Sequence, residues 1–245
     1  DLDFYRTNVV GTENVINASL FHNIKKLIYT SSPSVVFGKD DLCGVDESIE
    51  YPENYLCDYA ETKALAEKLI LEANCESLAT VALRPHLIFG PNDPHIFPKL
   101  VETARQGKLK RVGNGKNLVD VVYVQNAVDA HIQAFTKLEV GSNVSGQAYF
   151  IGQEKPVNLW DFINEILTRY ELPVLTKSIP ASFAYFIGWT LEKVYSMLRL
   201  KSEPRMTRFI SMQFSKSHYF NKAKTDLGYV PRVEIKEALD NSIRV

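Results

Sequence analysis

Lys26-Leu27-Ile28-Tyr29-Thr30-Ser31-Ser32-Pro33 is the stretch on which the reading of this chain turns. Residues 27–30 form a short apolar run of strand length, and Ser-Ser-Pro ends it in a turn. Upstream, Asp3 is placed to cap a helix running to about residue 21, with Phe4, Val9, Val10, Val15 and Ile16 on its inner face. Downstream, a polar loop carrying Asp40, Asp41, Asp46, Glu47 and Pro52 leads into a helix over 59–74, rich in Ala, Leu, Glu and Lys. Residues 80–83 make the next strand, stopped by Pro85. A strand over 119–124 precedes a helix from about 126 to 138, and after a loop over 141–146 another strand covers 148–151.

Strands alternating with amphipathic helices, too far apart for hairpins, indicate right-handed crossovers and a parallel sheet. The expected class is therefore α/β, with a Rossmann-type parallel sheet over residues 1–152 and an excursion into a second lobe at about 86–118. From residue 153 to 245 the pattern becomes mainly helical (158–170, 181–198, 221–227 and 234–242), the expected C-terminal substrate lobe. A doubly wound nucleotide-binding sheet normally opens with a strand, a glycine-rich turn and a helix. No such glycine cluster occurs, so the first βαβ half is missing from this chain. Either that half lies upstream of Asp1 or the chain is a fragment without it; the first is preferred.

Composition narrows the classes. The chain has 245 residues, 45% of them hydrophobic and 23% charged, and a net charge of -1. That supports a sizeable core and offers no electrostatic footprint for nucleic acid. Cys43, Cys57 and Cys75 are scattered and odd in number, which suits a reducing compartment, so a cytoplasmic location is expected. His22, His86, His95, His131 and His218 show no metal-ligand spacing, so no metal is expected.

The chemistry concentrates in Tyr59-Ala60-Glu61-Thr62-Lys63. Residues four apart share a helix face. A phenol is a poor acid or base at neutral pH, and a nearby ammonium favours the phenolate and lowers its pKa. With twelve tyrosines, one such match is expected roughly once by chance, so the context decides. Thr30, Ser31 and Ser32 follow an apolar strand, where parallel-sheet enzymes place ligand-facing groups. Leu83-Arg84-Pro85 ends the next strand and Gly90-Pro91 follows five residues later, a rigid turn that can wall in a flat ring, with a plain strand terminator as the alternative.

Taken with Thr7-Asn8-Val9-Val10-Gly11-Thr12-Glu13-Asn14 and Val121-Val122-Tyr123-Val124, these motifs resemble the extended short-chain dehydrogenase/reductase superfamily. Within it, the resemblance is to the 3β-hydroxysteroid dehydrogenase group, which includes sterol-4-carboxylate 3-dehydrogenases and bacterial 3-oxoalkanoate reductases. Leu159-Trp160-Asp161-Phe162-Ile163-Asn164 and Asp226-Leu227-Gly228-Tyr229-Val230-Pro231 are similar to that group's C-terminal half. The resemblance implies an NAD- or NADP-dependent oxidoreductase with Tyr59 as acid/base, Lys63 as activator and ribose anchor, and Ser32 as the hydroxyl orienting the carbonyl. It implies cofactor contacts from Tyr59, Lys63, Thr30, Ser31, Pro85, Leu87 and Ile88, and substrate contacts from Ser32, Pro33, His86 and His95. Asn8 matches a position near the active site, with a structural role as the alternative. The residue that would separate NAD from NADP falls in the absent half.

Two departures argue against nucleotide sugars. Related dehydratases carry Asp-Glu after the catalytic hydroxyl, where this chain has Pro33-Ser34; nucleotide-sugar enzymes carry a pyrophosphate-binding Arg where this chain has Val119, with Lys116 nearby as a partial substitute. Residues 181–198 are apolar nearly all round, which reads either as a buried helix or, functionally, as a cover over a sterol or acyl chain or as a contact with a membrane. Lys193, Arg199, Lys201, Arg205 and Arg208 flank it. The expected partners are a small apolar substrate and a second copy of the chain in a homodimer, with helix 59–74 at the interface, and peripheral membrane association as the alternative to a purely cytoplasmic state. A nucleotide-sugar epimerase and a catalytically silent NAD(P)-binding regulator stay open as rival readings.

Overall fold

In the computed structural model, which describes residues 2–38, 41–198, 217–219 and 222–243, the run around Ile28 becomes β1 (Lys26–Thr30). It pairs in parallel with β2 (Ala79–Pro85), Lys26 against Ala79 and Thr30 against Leu83. On the other side of β2 lies β3 (Gln147–Ile151), with Val81 opposite Gln147 and Pro85 opposite Ile151. All seven residues of β2 are buried, as befits the middle strand of a parallel sheet covered on both faces. The strand runs two residues past the expected stop at Leu83. Pro85 occupies the last paired position, where the ladder ends and a missing N–H costs little.

Two helices flank these strands in sequence. α2 (Asp58–Glu72) follows β1 and buries Ala60, Ala64, Glu67 and Ile70, a helical stripe with spacings of four, three and three. Asp58 and Glu61 place carboxylates in its first turn, where the helix dipole favours them. α3 (Val124–Lys137) packs through Ala127, Ala130 and Ala134 into one buried cluster with Val81, Leu83, Tyr149 and Ile151. Small side chains at those spacings let the helix axis approach the sheet closely.

The N-terminal helical run departs from expectation. Asp3 sits inside the first helical turn, Leu2–Phe4, rather than capping it, and Tyr5–Val10 takes a π register before α1 (Gly11–Phe21) resumes the ordinary one. The buried stripe is Val9, Thr12, Ile16 and Ser19, whereas Val10 and Val15 face solvent. Two polar residues share that stripe, so counting apolar positions alone points to the wrong face. α1 ends at Asn23, whose φ of 56° places it in the left-handed region, while Ile24 N–H reaches back to Ser19 O at 2.9 Å. The strand expected over 119–124 is also broken: Leu118–Val119 and Val122–Tyr123 are extended, Asp120 and Val121 lie between them, and α3 already begins at Val124.

The chain divides into two compact units. The first holds residues 1–88, 120–155 and 219–235, and the second 89–119, 156–218 and 236–245. Residues 222–235 belong with the sheet in the first unit. Tyr229 Oη donates to Gly152 O at 2.9 Å, Tyr149 Oη to Asp226 Oδ2 at 3.0 Å, and Asn126 Nδ2 to Val233 O at 2.8 Å. These partners lie more than 70 residues apart, beyond the reach of any local pattern.

The second unit is mainly helical. Asp93 accepts the backbone N–H groups of Ile96 and Phe97 at the start of the helix Ile96–Arg105. Asn158 caps α4 (Leu159–Arg169) by accepting from Trp160 N and Asp161 N. In the interior of this unit Phe97 stacks on Phe89 at 6.0 Å between ring centroids, and Phe162 meets Phe89 edge to face at 5.2 Å. α5 (Ala181–Met197) is not wholly buried: Ala184 and Gly188 face inward, while Phe183, Phe186 and Met197 are exposed. Arg199, Lys201, Arg205 and Arg208 lie outside the described residues, as do Asp40 and the side chain of His218.

Candidate active site

Thr30, Ser31 and Ser32 leave the carboxyl end of β1, and α2 brings Tyr59 and Lys63 beside them. Ser32 is extended (φ -155°, ψ 147°) and caps the short 3-10 helix Pro33–Val36. Its Oγ accepts from Ser34 N–H at 3.2 Å and from Ser34 Oγ–H at 2.9 Å. Both acceptor positions are thus used, which leaves the Ser32 proton to be donated, and the Tyr59 phenol lies within its hydrogen-bonding reach. The Tyr59 ring meets Phe4 edge to face at 6.0 Å and keeps 37% of its surface exposed.

Lys63 Nζ donates to Thr30 O at 2.7 Å and sits 4.1 Å above the Tyr29 ring. One of its three protons is engaged at Thr30, and the ring face gives the cation a favourable surface. Burial pulls the Lys63 pKa down to about 8, against the charge of Glu67, which pushes it up. Tyr59 departs from expectation: burial raises its pKa, Ser32 opposes the rise, and a lowering by Lys63 does not figure among the causes. With its own residues alone, the chain holds a protonated phenol.

The other expected residues of the first unit fall around this centre. Thr30 Oγ1 lies 2.8 Å from His131 Nε2, and His131 Nδ1 lies 2.7 Å from Ala127 O. Since a carbonyl can only accept, the Nδ1–H tautomer is assigned and Thr30 donates. Ser31 is tied by its backbone N–H to Leu83 O at 2.6 Å, yet its buried hydroxyl has no partner. Pro85 closes β2. His86 follows, donating its backbone N–H to Ile151 O at 3.3 Å, and burial holds its imidazole pKa down at about 4. Leu87 carries a φ of 44°, a conformation costly for a branched side chain. Pro33 is buried in the 3-10 helix, and Ile88 is half exposed. His95 belongs to the second unit, immediately before the helix Ile96–Arg105.

Asn8, which the resemblance already places near the site, gains a partner here, while Tyr29 and Glu67 escape a motif reading. Asn8, in the π segment, donates to Thr62 Oγ1 at 3.0 Å, linking the N-terminal helix to the turn that carries Tyr59 and Lys63. π segments concentrate at functional sites. Tyr29, read only as a strand residue, lies under Lys63. Glu67, buried and one turn beyond Lys63, is clamped by Arg84. Its i+4 spacing was the available signal; nothing local foretells its pairing with Arg84.

A parallel sheet with a serine at one strand end and a tyrosine and lysine one helical turn apart beside it defines a Rossmann-type α/β protein with a Ser-Tyr-Lys site. The chain belongs to the 3-beta hydroxysteroid dehydrogenase/isomerase family, whose model matches residues 2–180. It is 44% identical to the 2-alkyl-3-oxoalkanoate reductases of Shewanella oneidensis and Stenotrophomonas maltophilia. These matches cover 96% of this chain, and 64% and 73% of those proteins respectively. It is 37% identical to the decarboxylating sterol-4-alpha-carboxylate 3-dehydrogenase of Mus musculus, over 98% of this chain and 68% of that one. Among solved structures, the UDP-glucuronic acid 4-epimerase of Bacillus cereus in complex with NAD superposes with a TM-score of 0.71 at 19% identity, covering 99% of this chain and 69% of that one. At that identity the likeness establishes the fold alone.

Proposed function

We propose that this chain carries the catalytic part of an NAD- or NADP-dependent oxidoreductase that interconverts a secondary alcohol and a ketone on an apolar substrate, a 3-hydroxysteroid, a sterol or a 3-oxoacyl compound. The observation that carries the reading is the convergence of Ser32, Tyr59 and Lys63 at the carboxyl end of β1. The names of the reductase and dehydrogenase relatives support it.

In this reading a bound nicotinamide supplies or accepts the hydride. Tyr59 gives its phenolic proton to the carbonyl oxygen during reduction, and its raised pKa keeps that proton available at neutral pH. Ser32, with both lone pairs engaged by Ser34, donates to the same oxygen and orients it. Lys63 has protons left for ribose hydroxyls after satisfying Thr30. The unpartnered Ser31 hydroxyl and the Pro85-His86-Leu87-Ile88 turn fit the ribose-nicotinamide end of such a cofactor. The pyrophosphate end needs a glycine-rich turn that these 245 residues do not contain.

The exposed side of α5, with Phe183, Phe186 and Met197, supports peripheral contact with a membrane. No helix among the described residues is long and apolar enough to cross one. The scattered, odd-numbered cysteines at 43, 57 and 75 support a cytoplasmic reading. Homodimerisation with α2 at the interface is supported only by its long, partly apolar surface, including Leu65.

The test is to follow nicotinamide absorbance with steroid and 3-oxoacyl panels and, because an epimerase returns its hydride and leaves that absorbance unchanged, to follow sugar-nucleotide conversion by chromatography. Turnover confined to the first two is expected. Turnover on sugar nucleotides alone would favour the epimerase, although Val119 is fully buried and offers a phosphate nothing. No turnover with bound nucleotide would favour the silent regulator.

A further inference from the structure

The centre described above leaves one buried charged cluster unused. Glu67 and Arg84 are 0% and 3% exposed, and their ion pair closes at 2.6 Å through Arg84 Nη2. Arg84 Nε adds a second contact, 3.0 Å from Glu67 Oε2, and Tyr51 Oη donates to Glu67 Oε1 at 2.6 Å. The guanidinium also lies 5.1 Å from the Phe150 ring centroid. Three donors therefore converge on one carboxylate in the packed layer between α2 and β2.

Stability alone is a weak reason for this arrangement. A buried ion pair is commonly replaced by apolar residues of similar volume at no loss, because desolvation consumes most of the attraction. Its location is more telling. Glu67 lies one helical turn beyond Lys63 on the same face of α2, and Lys63 is the cation that reaches Thr30 O and the Tyr29 ring.

We propose that Glu67 is a positioning residue for Lys63: clamped by Arg84 and Tyr51, its buried carboxylate keeps the lysine ammonium protonated and directed at the end of β1. The proposal deepens the functional reading above and rests on it for its catalytic meaning.

Burial pulls Lys63 towards the neutral amine, and the charge of Glu67 opposes it. The same charge reaches Tyr29, Tyr51 and Tyr55, raising the pKa of each. The titratable groups around the pair are Tyr29 from β1, Tyr59 and Lys68 from α2 itself, Tyr51 and Tyr55 from the loop before α2, Arg84 from β2, and His131 from α3 beside Thr30. Pro33–Val36 contributes no ionisable side chain, and the N-terminal helix meets this turn of α2 through the neutral contact of Asn8 with Thr62. Glu67 is thus the nearby anion that favours a charged Lys63.

The test reads the lysine directly. Acylation of Lys63 by acetic anhydride, followed across pH by mass spectrometry of its peptide, gives the titration midpoint, expected near 8 in the unsubstituted protein. Glu67→Gln should lower the midpoint by about one unit, a tenfold loss of proton affinity. Because that variant strands a buried guanidinium, the doubly neutral Glu67→Gln/Arg84→Met is measured beside it, with a melting curve to report folding. The alkaline limb of kcat/KM should shift down with the midpoint. A midpoint unmoved in a folded variant overturns the proposal, whether or not the protein turns over. A fallen midpoint in a protein that turns over none of the panel substrates upholds the proposal for the charge of Lys63 and sinks the functional reading instead.

Discussion

Lys63 Nζ lies 2.7 Å from Thr30 O, so the second turn of α2 is fastened to the last residue of β1 by one charge-assisted hydrogen bond. Protonation strengthens that bond and supplies the positive charge of the site, whereas the neutral amine is only a weak donor. With a pKa lowered to about 8, Lys63 is charged below that value and neutral above it. Reduction should therefore hold steady at neutral pH, and kcat/KM should fall about tenfold per unit above pH ~8. A pH-rate profile level to pH 10 would remove Lys63 from the mechanism.

Tyr59→Phe deletes one hydroxyl and leaves the ring against Phe4. Activity should drop by about 10²–10⁴-fold, the range for losing a general acid. The melting temperature should stay within a few degrees, since only the link to Ser32 is lost. Steady-state rates and a thermal melt check both halves; near-normal turnover refutes the assignment.

Ser31 and Ser32 are adjacent and should behave oppositely. Ser32→Ala strands the Ser34 N–H that it caps, which should cost about 1 kcal/mol of stability together with most of the turnover. Ser31→Ala removes a buried hydroxyl with no partner and should leave stability unchanged or raise it. Its effect should appear in the KM for the nucleotide. Denaturant titrations and kinetics on the pair decide; equal effects would erase the distinction.

His86 links the fold to acid. Burial holds its pKa at about 4, so between pH 6.5 and 4 the unfolded chain binds a proton that the folded one refuses. Stability must then fall as pH drops through that window. The residue keeps some accessible surface, so about 1–2 kcal/mol is expected rather than the full value of the shift. His86→Gln should move the acid-unfolding midpoint to lower pH, and an unchanged midpoint would show that other groups govern it.

What the sequence disclosed and what it hid follow one physical divide. β1, α2 and β3 are legible because apolar runs and alanine-rich helical spacing are local properties. The Ser32, Tyr59 and Lys63 constellation is legible because a helix fixes residues four apart. The π register at Tyr5–Val10 is not, since its residues are ordinary helix formers. The buried stripe of α1 misled because Thr12 and Ser19 belong to it. The return of Tyr229 to Gly152 depends on partners 77 positions apart, which no window of sequence contains. Arg84 was read as part of a strand terminator; its grip on Glu67 exists only once α2 lies on the sheet.

Leu87 joins β2 to the rest of the candidate cofactor wall with its backbone twisted to a φ of 44°. A leucine there keeps a bend that glycine would adopt freely, at a cost of about 1–3 kcal/mol. Replacing it with glycine should therefore make the protein harder to melt and slower to bind nucleotide, so thermal robustness and catalytic fitness should trade against each other at this single position.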